Sequence, residues 1–362
     1  MAIIVCCIDG TCSKMKQLSV GVPQESIIGP LLYIIFTNDL PESVHGHLPE
    51  EQHQHAQGTP HRHSFNLDCF ACGTVCCFAD DSSYSFSSQS AESISDQLAT
   101  KYATISDYMG SHELKLNSDK THLLLIRSDA ARRASPDFPV ILNTGAEIIQ
   151  PSKSEKILGA TIAQNLKFTE HIQNGEDSML KALNSRINAL KKVSHMASFK
   201  TRKAVANGIV ISRLIYLIPL WSGCENYLMN ALQIVQNKAA RLVTKRNKMT
   251  PVRTLLKECG WMSVAQLGMY HSLVLVFKIL ETQSPQYLFN KLSGTQEETY
   301  YKTRFIKQQS ASHLIKLGPE SKASGEIAKN SFKYRATSQW NLLPVDVKEA
   351  KNVSIFKKKL RN

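Results

Sequence analysis

The stretch that most constrains what this chain can fold into is Cys76-Cys77-Phe78-Ala79-Asp80-Asp81-Ser82. Two adjacent carboxylates close an apolar run there, and a second alternation, Tyr84 and Phe86, follows. Apolar arms around a short polar break predict a β-hairpin with the acids at its tip. On a flat strand neighbouring side chains point to opposite faces, so consecutive aspartates converge only where the backbone turns. A turn is where Asp and Ser are favoured. Converging carboxylates repel unless a cation sits between them, and hard oxygen ligands on such a tip suit Mg²⁺, which takes one or two carboxylates plus substrate phosphates. The chemistry these residues point to is phosphoryl or nucleotidyl transfer; the bland reading is a solvated polar turn.

Other motifs accompany the pair in a fixed order. Upstream stand Gly21-Val22-Pro23-Gln24-Glu25-Ser26-Ile27-Ile28-Gly29-Pro30-Leu31-Leu32 and then Asn38-Asp39-Leu40-Pro41; downstream stands Leu114-Lys115-Leu116-Asn117-Ser118-Asp119-Lys120-Thr121. In that order they resemble the palm of a reverse transcriptase from a jockey-like non-LTR retrotransposon. The first stretch is similar to that family's GVPQGSxLGPLLF block, Phe78 to Asp81 to its FADD box, and Asn117 to Thr121 to its LNxxKT block.

Charge divides the chain. Residues 1 to 100 hold three Lys/Arg against eleven Asp/Glu, and the remainder 40 against 19, so the formal net charge of +13 hides a strongly basic region downstream of the acids. A polyanion held by the C-terminal two-thirds is the physical reading, with lysine-rich solvated helix faces as the alternative. At 362 residues with 43% apolar content, the chain can build two or three cores. Nine cysteines without a secretory leader predict reduced thiols in a soluble intracellular protein, nuclear or cytoplasmic. The longest apolar candidate is read as interrupted by Arg213 and Pro219, so no membrane partner is expected.

Along the chain, Ile8-Asp9-Gly10-Thr11 between apolar arms predicts a hairpin. Ser26 to Leu40 reads as one helix with an apolar face on Ile28, Leu31, Leu32, Ile35 and Phe36 backing the acidic hairpin, Pro30 in its first turn and Pro41 ending it. Residues 42–68 hold His45, His47, His53, His55, His61 and His63, with Cys69 and Cys72 just beyond. They read as a compositionally biased insertion, with zinc as the other reading. Ile94, Leu98, Tyr102, Ile105 and Met109 predict an amphipathic helix within Glu92 to Leu116. A strand at Thr121 to Ile126, a polar linker from Ala130 to Pro139, a hairpin around Asn143-Thr144-Gly145 and a strand at Lys156 to Ile162 follow. Helices are expected at about 169–197, 199–218, 226–246, 251–258 and 263–281, then a linker at 292–325. Leu228, Leu232, Val235, Ala239 and Leu242 alternate steps of four and three, a core stripe. Trp340 to Pro344 and Phe356 to Leu360 resemble the jockey-like tail pattern WNxLP followed by FKxxL.

The resemblance implies an α+β chain: an incomplete palm at 1–165, a helical thumb and connection at 166–290, and a basic helical tail at 291–362. It implies Asp80 and Asp81 as a catalytic, metal-holding pair for Mg²⁺, with Mn²⁺ as substitute, Gln24 against nucleotide or template, and Lys120 near the phosphates. RNA template, DNA primer and deoxynucleoside triphosphates are the implied partners. Lys156-Ile157-Leu158-Gly159 would be the strand behind the primer end. Two departures matter. The family's earlier metal aspartate, in a pattern like DxxKAFD, is not present ahead of Gly21, where Asp9 sits in the Ile-Asp-Gly turn; and Glu25 stands where the family has glycine, adding bulk and negative charge next to substrate. The expectation is an RNA-directed DNA polymerase by family that is inactive alone. The rival is a non-catalytic nucleic-acid-binding protein or a mobile-element remnant.

Overall fold

The computed structural model describes residues 2–4, 7–8, 11–18, 28–45, 74–88, 90–145, 147–293 and 329–361. Asp9, Gln24, Glu25, the His-rich stretch beyond His45 and most of the 292–325 linker lie outside the described residues. The chain divides into two compact units, Met1–Leu123 with Asp137–Pro151, and Leu124–Pro136 with Ser152–Asn362. It is α+β, its described strands forming two-stranded ladders.

In the first unit, β1 (Ala2–Ile4) pairs antiparallel with β4 (Lys16–Leu18), and inside them β2 (Cys7–Ile8) pairs with β3 (Thr11–Cys12). Ile8 opposite Thr11 is the hairpin that the Asp-Gly pair predicts. Cys12 is disulfide-bonded, which corrects the expectation of reduced thiols for that residue, whereas Cys76, Cys77, Cys224 and Cys259 are free.

The single helix expected over Ser26 to Leu40 is two helices, α1 (Gly29–Phe36) and α2 (Leu40–His45). The Thr37 amide and hydroxyl both donate to the Tyr33 carbonyl, closing α1, and the Leu40 amide donates to the Thr37 carbonyl at 3.2 Å. Pro41 therefore opens α2 instead of ending α1; in a first turn its missing N–H costs nothing. Pro30 occupies the first turn of α1 as anticipated. The apolar face assigned to α1 is turned outward: Ile28, Leu31, Leu32, Ile35 and Phe36 are all exposed, as is Ile34. A helix this apolar has no periodicity from which to choose a face, and the residues it turns inward are Gly29 and half-buried Tyr33.

β5 (Thr74–Phe78) and β6 (Asp81–Ser85) form the expected hairpin, with Phe78 opposite Asp81 and Val75 opposite Tyr84. Val75 and Tyr84 pack with Leu40 and Val44 of α2 and with Ile105, Tyr108 and Met109 of α3 (Ala91–Ser111). Ser90 caps α3 by accepting from the Ser93 amide. The helix stops five residues before Leu116 because Glu113 takes a left-handed φ of 56°, Glu113 donates to the Gly110 carbonyl and Leu114 to the Met109 carbonyl, a Schellman ending in which Leu114 folds back on the core. Lys101, buried on α3, donates to the Val44 carbonyl at the end of α2, where a cation complements the helix dipole.

The strand anticipated at Thr121 to Ile126 is reduced to β7 (Leu123–Leu124), and the polar linker holds a short helix, α4 (Asp129–Ala134), capped by Ser128. β8 (Leu142–Asn143) and β9 (Ile148–Ile149) flank the Asn-Thr-Gly turn, where the Asn143 side chain accepts from the Gly145 amide. After β10 (Pro151–Ser152), the strand expected at Lys156 to Ile162 is itself a hairpin, β11 (Ser154–Ile157) with β12 (Ala160–Ala163). Leu158 and Gly159 between them have φ of 47° and 81°, the mirror-image turn that suits twisted strands.

The second unit is helical beyond Phe168. α5 (Met179–Ser194), α6 (Phe199–Ala206), α7 (Ser212–Ile215), α8 (Ile218–Trp221), α9 (Asn226–Thr244) and α10 (Val252–Cys259) share one core with the start of α11 (Val264–Thr282). On α9, Leu228, Leu232, Val235 and Ala239 are buried as the spacing predicts, with Val243 inward where Leu242 was expected. Gln236 is also fully buried on this face; its amide donates to the Met262 carbonyl, while Gln233 accepts from the Val264 amide. The rest of α11 packs with α12 (Gln286–Ser293), α13 (Phe332–Asn341), α14 (Val345–Lys348) and α15 (Val353–Lys359). Among the described helices, α11 alone is long and apolar enough, by length and composition, to cross a membrane. More than half of its apolar run is buried, which is what a helix shared by two cores requires.

Candidate functional site: the acidic hairpin

Ala79 and Asp80 are the two turn residues between β5 and β6, and Asp81 is the first residue of β6. Ala79 holds a φ of 53°, a conformation glycine adopts freely and alanine at a cost of about 1–2 kcal/mol. That backbone state reverses the chain within two residues and brings the consecutive carboxylates to one exposed tip. Beneath the tip, Ser82 donates to the Cys77 sulfur at 3.6 Å, and Phe78 is 65% exposed beside it.

Three tyrosines stand around this hairpin. Burial raises the Tyr33 phenol, and the charges of Asp80 and Cys77 raise it further, so Tyr33, a residue the apolar pattern did not single out, lies within electrostatic range of the tip. Tyr84, on β6, is pushed up to about 12 by burial and then by Cys77. Tyr108 of α3 is raised by burial and by donating to Asp39 Oδ1, and the same hydrogen bond holds Asp39 below the usual carboxylate range. All three phenols are raised, and two of them have an acid beside them: Asp80 acts on Tyr33 and Asp39 accepts from Tyr108. The Tyr108 ring stacks on His112 at 4.0 Å, and Phe36 meets His112 edge-on at 5.2 Å. Asp39 is thus a structural acid tying the α1–α2 turn to α3. Its pairing crosses 69 residues, a separation no local pattern reveals.

Lys120 ends a single 3₁₀ turn, Ser118–Lys120, and does not start a strand. The Lys120 amide donates to the Asn117 carbonyl, and the Thr121 hydroxyl closes the turn on the same carbonyl at 2.9 Å, leaving the Lys120 side chain exposed. Asp80, Asp81 and Lys120 share the first unit; Gln24 is outside the described residues. Leu158 and Gly159 lie at a hairpin turn of the second unit, where the Tyr216 hydroxyl donates to the Leu158 carbonyl at 2.7 Å.

Asp80 and Asp81 offer the hard oxygen donors Mg²⁺ prefers. Among the described residues no third His, Cys, Asp or Glu joins them into a metal-holding group. Two carboxylates are fewer protein ligands than a two-ion site calls for.

Beside the ordered motifs and the carboxylate-tipped hairpin, the chain is similar in sequence to a curated transposon polymerase. It is 26% identical over 229 residues to a probable RNA-directed DNA polymerase from transposon BS of Drosophila melanogaster, a match covering 63% of this chain and 23% of that relative. The chain thus spans about a quarter of the length of the curated relative it matches. No family model matches it, and no solved structure does.

Proposed function

We propose that this chain is a reverse-transcriptase-derived nucleic-acid-binding protein, RNA-directed DNA polymerase by descent and without polymerase activity alone. In this reading residues 1–165 descend from a palm, 166–290 from a thumb and connection, and 291–362 from a basic tail. The observation that carries it is the tip at Asp80 and Asp81, where the chain closes on itself in two residues. Bound Mg²⁺ would supply charge neutralisation for phosphate there; Asp80 and Asp81 would hold it, Lys120 would lie near the phosphates and Gln24 near nucleotide or template. Two carboxylates leave a developing phosphoryl charge poorly compensated, and Glu25 adds a negative charge where substrate would pass.

Primer extension on an RNA template with Mg²⁺ or Mn²⁺ tests it. The expected result is no template-dependent incorporation, together with salt-dependent oligonucleotide binding that survives Asp80→Asn plus Asp81→Asn. Incorporation abolished by that double substitution would overturn the inactive reading and restore a working metal site. Non-catalytic binding is favoured by the charge of the C-terminal two-thirds, where Lys/Arg outnumber Asp/Glu by about two to one.

A further inference from the structure

The last described helix, α15, carries two unlike faces. Phe356 is fully buried, stacked on Phe277 of α11 at 4.3 Å and tilted against Trp340 of α13 at 5.9 Å, which fixes the helix rotationally. Ser354, Lys357, Lys358 and Arg361 follow at steps of three, one and three, so they lie on one side of the helix. They line a concavity of about 330 Å³. Lys359, off this face, is taken by Asp346, its Nζ 3.6 Å from the carboxylate. Lys357, Lys358 and Arg361 have no acidic partner among the described residues, and α15 carries no acid of its own.

We infer that this face of α15 is a phosphate-binding site for a nucleic-acid backbone, with Lys357, Lys358 and Arg361 as its contacts and the Ser354 hydroxyl as a neutral donor. The inference rests on the nucleic-acid reading above and assigns it a place.

A plain solvated face, or lysines complementing the end of a helix dipole, would account for Lys357 and Lys358. It does not account for Arg361, past the end of the helix, whose guanidinium is held 5.3 Å above the Tyr270 ring. Stacking of that kind leaves the donor fork ordered and its outer edge open for phosphate oxygens. Nor does it account for the convergence of charge: Lys357 and Arg361 together add to burial in holding the His271 imidazole below its ordinary range, so the cations act on one small volume. A cationic concavity with no acidic partner among the described residues, anchored by a packed aromatic, gains most from an anion that brings several charges in a row, which is what a nucleic-acid strand presents.

Fluorescence anisotropy with the full chain and a labelled single-stranded RNA, over a series of KCl concentrations, tests the site. The triple variant Lys357→Gln, Lys358→Gln, Arg361→Gln should bind about tenfold more weakly or worse, and the slope of log affinity against log salt should flatten by about 2, the loss of three phosphate contacts on a single strand. Removing the same charge at exposed Lys200, Lys248 and Lys257 of the same unit should do markedly less. Lys358→Glu alone, at an exposed position, keeps the test open if the triple variant melts early. Unchanged binding by the α15 variants while wild type binds would overturn this site and leave the nucleic-acid reading standing. No binding by wild type, or binding only to phosphatidylserine vesicles, would overturn both.

Discussion

Gly159 shows how a single backbone angle decides a local structure. Its φ of 81° is open to glycine and strained for other residues, and a Cβ there would meet the Tyr216 ring at 3.4 Å. Gly159→Ala should therefore destabilise the second unit by about 1–2 kcal/mol, read as a lower urea midpoint at unchanged slope. The neighbouring Leu158 also sits at positive φ, with 41% of its surface exposed, so little packing depends on its side chain. An unchanged midpoint for the alanine variant would mean the turn relaxes at no cost. A positive φ of 53° is likewise held by Ala79 at the acidic tip, where it closes the turn that carries two adjacent, exposed carboxylates.

Between elements, the firmest polar tie is Arg335 of α13. Its guanidinium donates to the Pro219 carbonyl at 2.9 Å, the Ser222 hydroxyl at 3.0 Å and the Asn330 carbonyl at 2.9 Å, binding α13 to the end of α8. Burial lowers its pKa, yet arginine stays charged, and only a planar fork reaches three acceptors at once. Gly223 is where the chain makes room: a Cβ there would lie 2.1 Å from the Asn330 carbonyl oxygen. Arg335→Lys should cost about 2–4 kcal/mol, because an ammonium leaves at least one buried carbonyl without its donor. Thermal melts followed at 222 nm report it; a loss no larger than that of an exposed Arg→Lys change would rule out a structural role for the fork.

For the whole molecule, two imidazoles set how stability varies with acidity. His171 is held below its ordinary range by burial and then by Arg213 and Lys156, and its Nδ1 accepts from the Thr161 amide at 3.3 Å. His271 is lowered by burial, Lys357 and Arg361. A histidine lowered on folding favours the neutral form, so its contribution is complete above the unfolded value of about 6.5 and disappears as pH falls through the folded one. The unfolding midpoint should accordingly drop between about pH 7 and pH 5, with His171→Gln flattening part of that slope. Asp39 and Asp177, lowered through Tyr108 and Lys156 respectively, act in a separate window below the ordinary carboxylate range of about 4. A flat profile from pH 7 to about 5 would contradict the burial of both imidazoles.

What the sequence determined by itself was whatever rests on short-range regularity. The acid-tipped turn, the Ile-Asp-Gly-Thr hairpin, the buried stripe of α9 and the helix starting after Pro251 all follow from neighbours within a few residues, where turn preference and a period of 3.6 act without help. Tertiary structure decided which way ambiguous segments face and who meets whom across long separations. α1 is apolar all round, so only packing could select Tyr33 as its inward residue. Lys101, Gln236 and Arg335 read as surface residues until a distant carbonyl or hydroxyl satisfies each of them. Burial of a polar group is stable only when its partner arrives, and a partner tens of residues away is a property of the fold and not of the local chain.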